Sequence, residues 1–225
     1  MAPERSVCFI PDYPVNLRLS GRRCLVVGGG PVAERKVTAL LASGAEVVLV
    51  SPSLTQQLKD SAAAGRLAHH AKSFEESDVA GCFVVICATD SPQVNETAAI
   101  AAKKAGALVN VADSPDLCDF TLPAKLQHGS LAITVSTGGQ SPALAKELRD
   151  ELGELYGPEY GIYLDIIGCI RREWQENCAS SSERCQHWRE IRGFDPEGLE
   201  LLRQGALKEA EVRIRHVVGC LGTQS

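Results

Sequence analysis

The sequence predicts an α/β protein with a doubly wound parallel sheet, and three observations support that fold class. Short apolar runs such as Cys24–Val27 and Cys82–Ala88 lack polar alternation, as is typical of strands buried on both faces. Each run precedes a stretch in which apolar residues recur at helical spacing, and alternating strands and helices favour a parallel sheet. The helical stretches end at glycines, for example Gly44 and Gly106.

A glycine-rich turn joins the first predicted strand to the first helix, in the sequence LVVGGGPVAER. Gly28, Gly30 and Ala33 match the G-x-G-x-x-G/A pattern of dinucleotide-binding turns. Pro31 and Val32 open the helix, where proline is favoured because its N–H is not needed. In such a turn, backbone N–H groups and the positive end of the helix dipole bind a pyrophosphate. We therefore predict a nucleotide site here; the alternative is a helix-capping turn without a ligand.

The second strand, Glu46–Val50, ends without the acidic residue that commonly holds the adenine ribose. The residues that follow it are Ser51, Pro52 and Ser53. Serine hydroxyls can hydrogen-bond a ribose, so these three residues are candidate cofactor contacts. They leave the choice between NAD and NADP open.

Acidic residues follow two further strands of the predicted sheet. Thr89 and Asp90 follow the fourth strand, and Asp113 follows the fifth. Because ligands bind beyond the carboxyl ends of parallel strands, we expect these residues to line the same crevice as the glycine turn. Asp90 or Ser91 can cap the next helix. Asp113 is either a general base or a turn-forming residue.

The pattern changes after Asp113. Leu131–Ser136 alternates as a half-buried strand does, and an unpaired strand of that kind needs a partner edge. We therefore predict a homodimer built on residues 114–150. Thr137, Gly138 and Gly139 then precede a helix capped by Ser141, which is either a second anion site or a simple cap.

Composition and charge restrict the classes of partner. The net charge of −5 argues against general nucleic-acid binding, and no apolar run is long enough to span a bilayer. The nine cysteines include no C-x-x-C pair, and Cys178, Cys185 and His187 fit no zinc spacing, so we expect no metal site. Free thiols and the absence of a recognisable signal sequence favour a cytoplasmic protein.

Four segments together resemble one known family, the siroheme synthase N-terminal family. That family comprises precorrin-2 dehydrogenases, some of which are also sirohydrochlorin ferrochelatases. The matching segments span residues 13 to about 155 in the family's order: YPVNLRLSGRRCLVVGGGPVAERK, ICATDSPQVN, VNVADSPDLCDFTLPA and VSTGGQSPALAKELR. This set is far more specific than the glycine turn alone.

The resemblance implies a three-part chain and a homodimer. The parts are an NAD-binding Rossmann domain at residues 1–113, a small α+β dimerisation region at 114–152 and a helical C-terminal domain at 153–225. The implied reaction is the oxidation of precorrin-2 to sirohydrochlorin, with NAD as the oxidant. Asp113 is the implied catalytic base, and Ser136, Thr137, Gly138 and Gly139 are implied to line the tetrapyrrole.

Two other functions and one additional reaction stay open at this point. Insertion of ferrous iron into sirohydrochlorin is a second reaction in part of the family, and no separate metal-ligand motif indicates it here. Another Rossmann oxidoreductase is an alternative, although no Tyr-x-x-x-Lys pair is present. A non-enzymatic NAD-binding redox sensor that uses its cysteines is the third candidate.

Overall fold

The computed structural model describes residues 12–177 and 194–220. The chain divides into two compact units, with the boundary between Leu122 and Pro123. The predicted boundaries at 113 and 152 remain predictions.

The first unit is a five-stranded parallel sheet in the order β3-β2-β1-β4-β5. Two 3₁₀ turns, Glu76–Val79 and Pro115–Leu117, precede β4 and follow β5. The strands and helices, in chain order, are β1 Arg23–Val27, α1 Pro31–Ala42, β2 Glu46–Val50, α2 Gln56–Ala63, β3 Ala68–His70, β4 Val84–Cys87, α3 Pro92–Lys104 and β5 Leu108–Val111.

Helices cover both faces of this sheet, which confirms the predicted fold class. In β4, Val84 and Ile86 pack in a cluster that contains the buried residues of α1 and α2. Val85 and Cys87 point to the other face, into a cluster that contains the alanines of α3. Because both faces are buried, apolar residues predominate in the central strands, and β4 is apolar at all four positions.

The sequence also predicts a helix over residues 54–64 with Ser53 as its cap, and this prediction needs correction. Helix α2 begins after Thr55, and the Thr55 hydroxyl, rather than that of Ser53, accepts a hydrogen bond from the N–H of Leu58 at 3.4 Å. Of the two predicted candidates for the cap of α3, Ser91 rather than Asp90 is the one observed. The alternation of Val15, Leu17 and Leu19 predicts an edge strand or an extended arm over residues 13–20, and the structure has no strand there.

The second unit combines one antiparallel hairpin with helices. Strands β6 Ala124–His128 and β7 Leu131–Val135 pair across a turn at Gly129 and Ser130. The four helices that the described residues form here are α4 Pro142–Leu155, α5 Pro158–Asn177, α6 Pro196–Arg203 and α7 Leu207–Cys220. Buried residues of α5, α6 and α7, including Tyr163, Leu199 and Ile214, form the core of this unit.

Helix α4 buries little within this unit. Ala145 is its one buried residue, whereas Leu144, Leu148 and Leu155 are 46 %, 37 % and 63 % exposed. No helix in the described part of the chain has the length and apolar content that crossing a bilayer requires.

Candidate active site

The glycine turn after β1 leaves backbone N–H groups accessible at the start of α1. Gly30 is the N-cap of α1 and supplies no side-chain hydrogen bond to the first turn. A Cβ placed on Gly30 would meet no atom within 4 Å, so the space in front of this residue is open. The first-turn N–H groups of a helix have no intrahelical partners, and together with the dipole they bind anions. Pro31 and Val32 lie in this first turn, as predicted.

Gly28 and Gly29 must be glycine because backbone atoms of other loops pack closely against them, whereas Gly30 faces open space. Gly28 has φ 120°, and a Cβ there would overlap the carbonyl oxygen of Ala88 at the end of β4. A Cβ on Gly29 would overlap the carbonyl oxygen of Ser53. The carbonyl of Gly29 also accepts a hydrogen bond from the N–H of Thr55 at 3.0 Å. The turn is therefore fixed against the loops that follow β2 and β4.

The three residues after β2 differ in what they offer a ribose. Ser51 is buried, and its hydroxyl donates to the carbonyl of Ser53 at 2.7 Å. A ring nitrogen of His69 lies 2.9 Å from the carbonyl oxygen of Ser51. Ser51 therefore shapes the loop, while Pro52 and Ser53 are exposed and border a groove of about 340 Å³.

A hydrogen bond that the sequence did not reveal ties α1 to the β2 loop. The Thr55 hydroxyl donates to the carboxylate of Glu34, which lies in the first turn of α1. Thr55 also caps α2. The sequence signal that could have indicated this link has two parts. One is an acid four residues after a helix N-cap, and the other is a capping threonine after the next strand.

A second missed residue, Asn95, holds the loop after β4. Its side-chain carbonyl accepts from the N–H and the hydroxyl of Thr89 at 3.2 and 2.8 Å, and its amide donates to the Thr89 carbonyl at 3.0 Å. Asn95 is buried on the alanine-lined face of α3. A polar residue at a buried helical position requires hydrogen-bond partners, and that was the available signal. Thr89 is thus held firmly, whereas Asp90 is exposed.

Asp113 lies directly beyond β5, at the edge of the sheet that the sequence predicted. It is exposed and has φ 60°, the left-handed conformation that side chains other than glycine seldom adopt. Among the described residues, no other non-glycine residue has a positive φ. Such conformations cluster at active sites, where surrounding contacts maintain them.

Lys36 in α1 is a cation near Asp113. Burial lowers the pKa of Lys36, and the charge of Arg35 lowers it further, whereas Cys118 and Asp113 raise it. Lys36 is half-buried in α1 and interacts electrostatically with the candidate base. A substrate with many carboxylates needs clustered cations, and the sequence offers five candidates: Arg35, Lys36, Lys125, Lys146 and Arg149.

The second glycine loop belongs to the second unit and is held by its own hydrogen bonds. The Ser136 hydroxyl accepts from the N–H of Gly138 at 3.3 Å, and the Thr137 hydroxyl donates to the carbonyl of Ser141 at 3.1 Å. Ser141 caps α4 through the N–H of Leu144, as predicted. Gly138 and Gly139 have positive φ values of 58° and 76°. Capping is thus observed here, and tetrapyrrole binding by residues 136–139 remains a prediction.

The described residues contain no group of three or more His, Cys, Asp or Glu side chains that could hold a metal ion. The cluster considered from the sequence, Cys178, Cys185 and His187, lies outside residues 12–177 and 194–220. The ring of His69 is hydrogen-bonded to the backbone carbonyl of Ser51, and no metal-ligand group forms around it in the described residues.

Two protein families match this chain, and they identify the class of protein to which it belongs. Residues 15–124 match a family described as NAD(P)-binding, which agrees with the parallel sheet and the open glycine turn. Residues 128–155 match the sirohaem biosynthesis protein central family. The first unit is therefore an NAD(P)-binding Rossmann-type domain, as predicted.

Individual relatives narrow the class to one family. Siroheme synthase of Nitrosococcus oceani is 44 % identical over 202 residues, covering 88 % of this chain and 43 % of that protein. Siroheme synthase of Methylococcus capsulatus is 36 % identical over 201 residues, covering 89 % and 42 %. The solved structure of SirC, precorrin-2 dehydrogenase, is 30 % identical with a TM-score of 0.73, covering 91 % of this chain and 99 % of that one.

This chain belongs to the siroheme synthase N-terminal family, as its motifs predicted. It spans less than half the length of the curated siroheme synthases that it matches, and nearly the whole of the precorrin-2 dehydrogenase structure.

Proposed function

We propose that this chain oxidises precorrin-2 to sirohydrochlorin, a step of siroheme biosynthesis, with NAD as the oxidant. The observation that supports this most is the placement of Asp113: an exposed carboxylate beyond β5, in the same sheet that presents the open turn at Gly30. In parallel sheets the carboxyl ends of the strands form one ligand crevice. The family membership supplies the substrate class.

The site residues fit the cofactor. Uncapped N–H groups at the start of α1 suit a pyrophosphate, and the open space at Gly30 permits its approach. We propose cofactor contacts at Gly28, Gly30, Pro31 and Val32, with Pro52 and Ser53 beside the adenine ribose. Thr89 and Asp90 would line the crevice beyond β4. Bound NAD supplies a hydride acceptor.

Removing two hydrogens from the macrocycle releases one proton along with the hydride. Asp113 is the proposed acceptor of that proton, because it is exposed and lies at the crevice edge of β5. A carboxylate is the form that acts as a base, and the Lys36 cation interacts with it electrostatically. Insertion of ferrous iron would also need a group that takes pyrrole protons, and Asp113 is the candidate for that reaction too.

We further propose that the chain works as a homodimer in the cytoplasm, with Ser136–Gly139 contacting the tetrapyrrole. The exposed leucines of α4 favour association, because apolar side chains of this size gain by burial. Cys24, Cys82, Cys87, Cys118 and Cys169 are free thiols, which favours a reducing compartment.

The test is to incubate the full chain with precorrin-2 and NAD under anaerobic conditions and to record both products. We expect one NADH for each sirohydrochlorin, and Gly30→Asp as a control should form neither. A chain that binds NAD but forms neither product would instead be a cofactor-binding regulator. A chain that turns over a small alcohol and leaves precorrin-2 unchanged would be a different oxidoreductase.

A further inference from the structure

The outer edge of β5 is covered by backbone and side-chain groups of the segment that follows Asp113, instead of by another strand. β5 is the last strand of the sheet, and its inner edge pairs with β4. After the turn at Asp113 the chain folds back along the open edge. The N–H of Asp119 donates to the carbonyl of Val109 at 2.8 Å, and the N–H of Val109 donates to the Asp119 carboxylate at 3.0 Å.

Cys118 covers the next pair of outward-facing backbone groups along this edge, the N–H and the carbonyl of Val111. Its sulfur accepts a hydrogen bond from the N–H of Val111 at 3.1 Å. The thiol can donate to the carbonyl of Val111 or that of Ser114, each 3.4 Å away. One side chain thus contacts the backbone on both sides of Asp113.

The backbone around Asp113 is fixed from two directions. On the sheet side, the N–H of Ala112 donates to the carbonyl of Cys87 at 2.9 Å. On the other side, the thiol of Cys118 joins Val111 to Ser114. A residue with φ 60° that is not glycine keeps this conformation only where its surroundings impose it.

We infer that Cys118 is a positioning residue for the proposed dehydrogenation: its thiol holds Asp113 in the left-handed conformation and so fixes the carboxylate. This inference rests on the proposed function for its kinetic consequence. It differs from a packing role, because a residue that only fills space would be replaced by alanine at a cost in stability alone.

The kinetic test compares Cys118→Ala, Cys118→Ser and the control Cys169→Ala, a half-buried free cysteine in α5. Serine keeps a donor and an acceptor at the same position, whereas alanine has neither. We expect Cys118→Ala to lower kcat about fivefold, the scale of one or two hydrogen bonds, with KM for precorrin-2 and Kd for NAD within about twofold. Cys118→Ser should recover most of kcat, and Cys169→Ala should match the wild type.

Amide hydrogen exchange tests the positioning without any substrate. In Cys118→Ala, exchange should accelerate at residues 111–117 and stay unchanged in α1 and β1. Unchanged exchange at 111–117 would overturn the inference, whatever reaction the chain performs. The inference would also be overturned if Cys118→Ala had the kcat of the wild type while Asp113→Asn was inactive. A wild-type chain that leaves precorrin-2 unoxidised refutes the proposed function, and the exchange data then decide the inference by themselves.

Discussion

The side chain of Asn95 forms three hydrogen bonds with Thr89, to its N–H, its hydroxyl and its carbonyl. The Thr89 hydroxyl also donates to the carbonyl of Ser91 at 3.1 Å. These bonds join the first turn of α3 to the end of β4. The loop that borders the crevice is therefore held by a residue that is itself buried and does not reach the ligand space.

Replacing Asn95 by alanine should weaken NAD binding about tenfold, because the N–H and the carbonyl of Thr89 lose their Asn95 partner and the loop loses its fixed conformation. The melting temperature should fall as well, since a buried polar group is left unpaired. Calorimetric titration with NAD measures the first effect. The exposed neighbour Glu96→Ala is the control and should bind NAD normally. Equal affinity for both variants would show that the loop does not contact the cofactor.

Two adjacent glycines should respond in opposite ways to substitution. Gly30 is an N-cap with extended φ and ψ of −84° and −174°, a geometry in which aspartate is a preferred cap. Gly30→Asp should therefore retain or raise the free energy of unfolding by a few tenths of a kcal/mol, yet abolish NAD binding through charge repulsion and competition for the N–H groups. Gly29→Ala should destabilise the fold, because its Cβ overlaps the carbonyl of Ser53. Thermal melts and NAD titrations of both variants measure this contrast.

Asp113 is best tested with asparagine, which keeps the shape and tolerates a positive φ. Asp113→Asn should leave NAD and tetrapyrrole binding nearly intact and lower the rate of NADH formation about 100-fold or more. Asp113→Ala should lose the same activity and, in addition, about 1 kcal/mol of stability, because φ is 60° there. Asp113→Gly should restore the stability and not the activity. Wild-type turnover by Asp113→Asn would place the base elsewhere.

Asp90 is the rival acid, and its role as a helix cap is excluded because Ser91 caps α3. Since Asp90 is exposed, Asp90→Ala should change the melting temperature little and affect chiefly the affinity for NAD. A loss of kcat equal to that of Asp113→Asn, with unchanged NAD affinity, would assign the base to Asp90.

The assembly state should depend on α4. Light scattering at micromolar concentration should give a dimer for the wild type and a monomer for Leu144→Arg, which places a charge on the exposed apolar face of this helix. Val212→Arg, at a position 69 % exposed in α7, is the matched control and should stay dimeric. A dimer that persists in Leu144→Arg would move the predicted interface away from α4.

Alkaline pH should destabilise the first unit through its buried thiols. Burial raises the pKa of Cys24 to about 11 and that of Cys87 to about 12, well above the ordinary value of a thiol. The folded state favours the neutral thiol, so this stabilisation is complete below pH 9 and is lost as the pH rises toward those values. Each thiol adds up to about 1.4 kcal/mol per pH unit to the decline. Cys87→Ala should make urea-derived unfolding free energies fall less steeply between pH 9 and 11, whereas Cys169→Ala should not.

Much of the first unit could be predicted because its signals are local. Apolar runs gave β1 and β4, and Pro31 and Pro92 gave the starts of two helices. The contacts of Asn95 and Cys118 depend instead on where side chains meet after folding, and spacing alone does not reveal them. The left-handed φ of Asp113 has no sequence signal beyond the tolerance of aspartate.

The side chains of Cys118 and Asp119 along β5 have a consequence for solubility. An open strand edge is a template for intermolecular pairing, and apolar strands such as β5 are prone to aggregate through it. Here the residues that occupy that edge directly follow the turn that contains Asp113. The segment next to the proposed catalytic carboxylate therefore also covers the edge of the sheet. Damage to this short segment would expose a strand edge that can pair with other molecules, and it would also disturb the proposed chemistry.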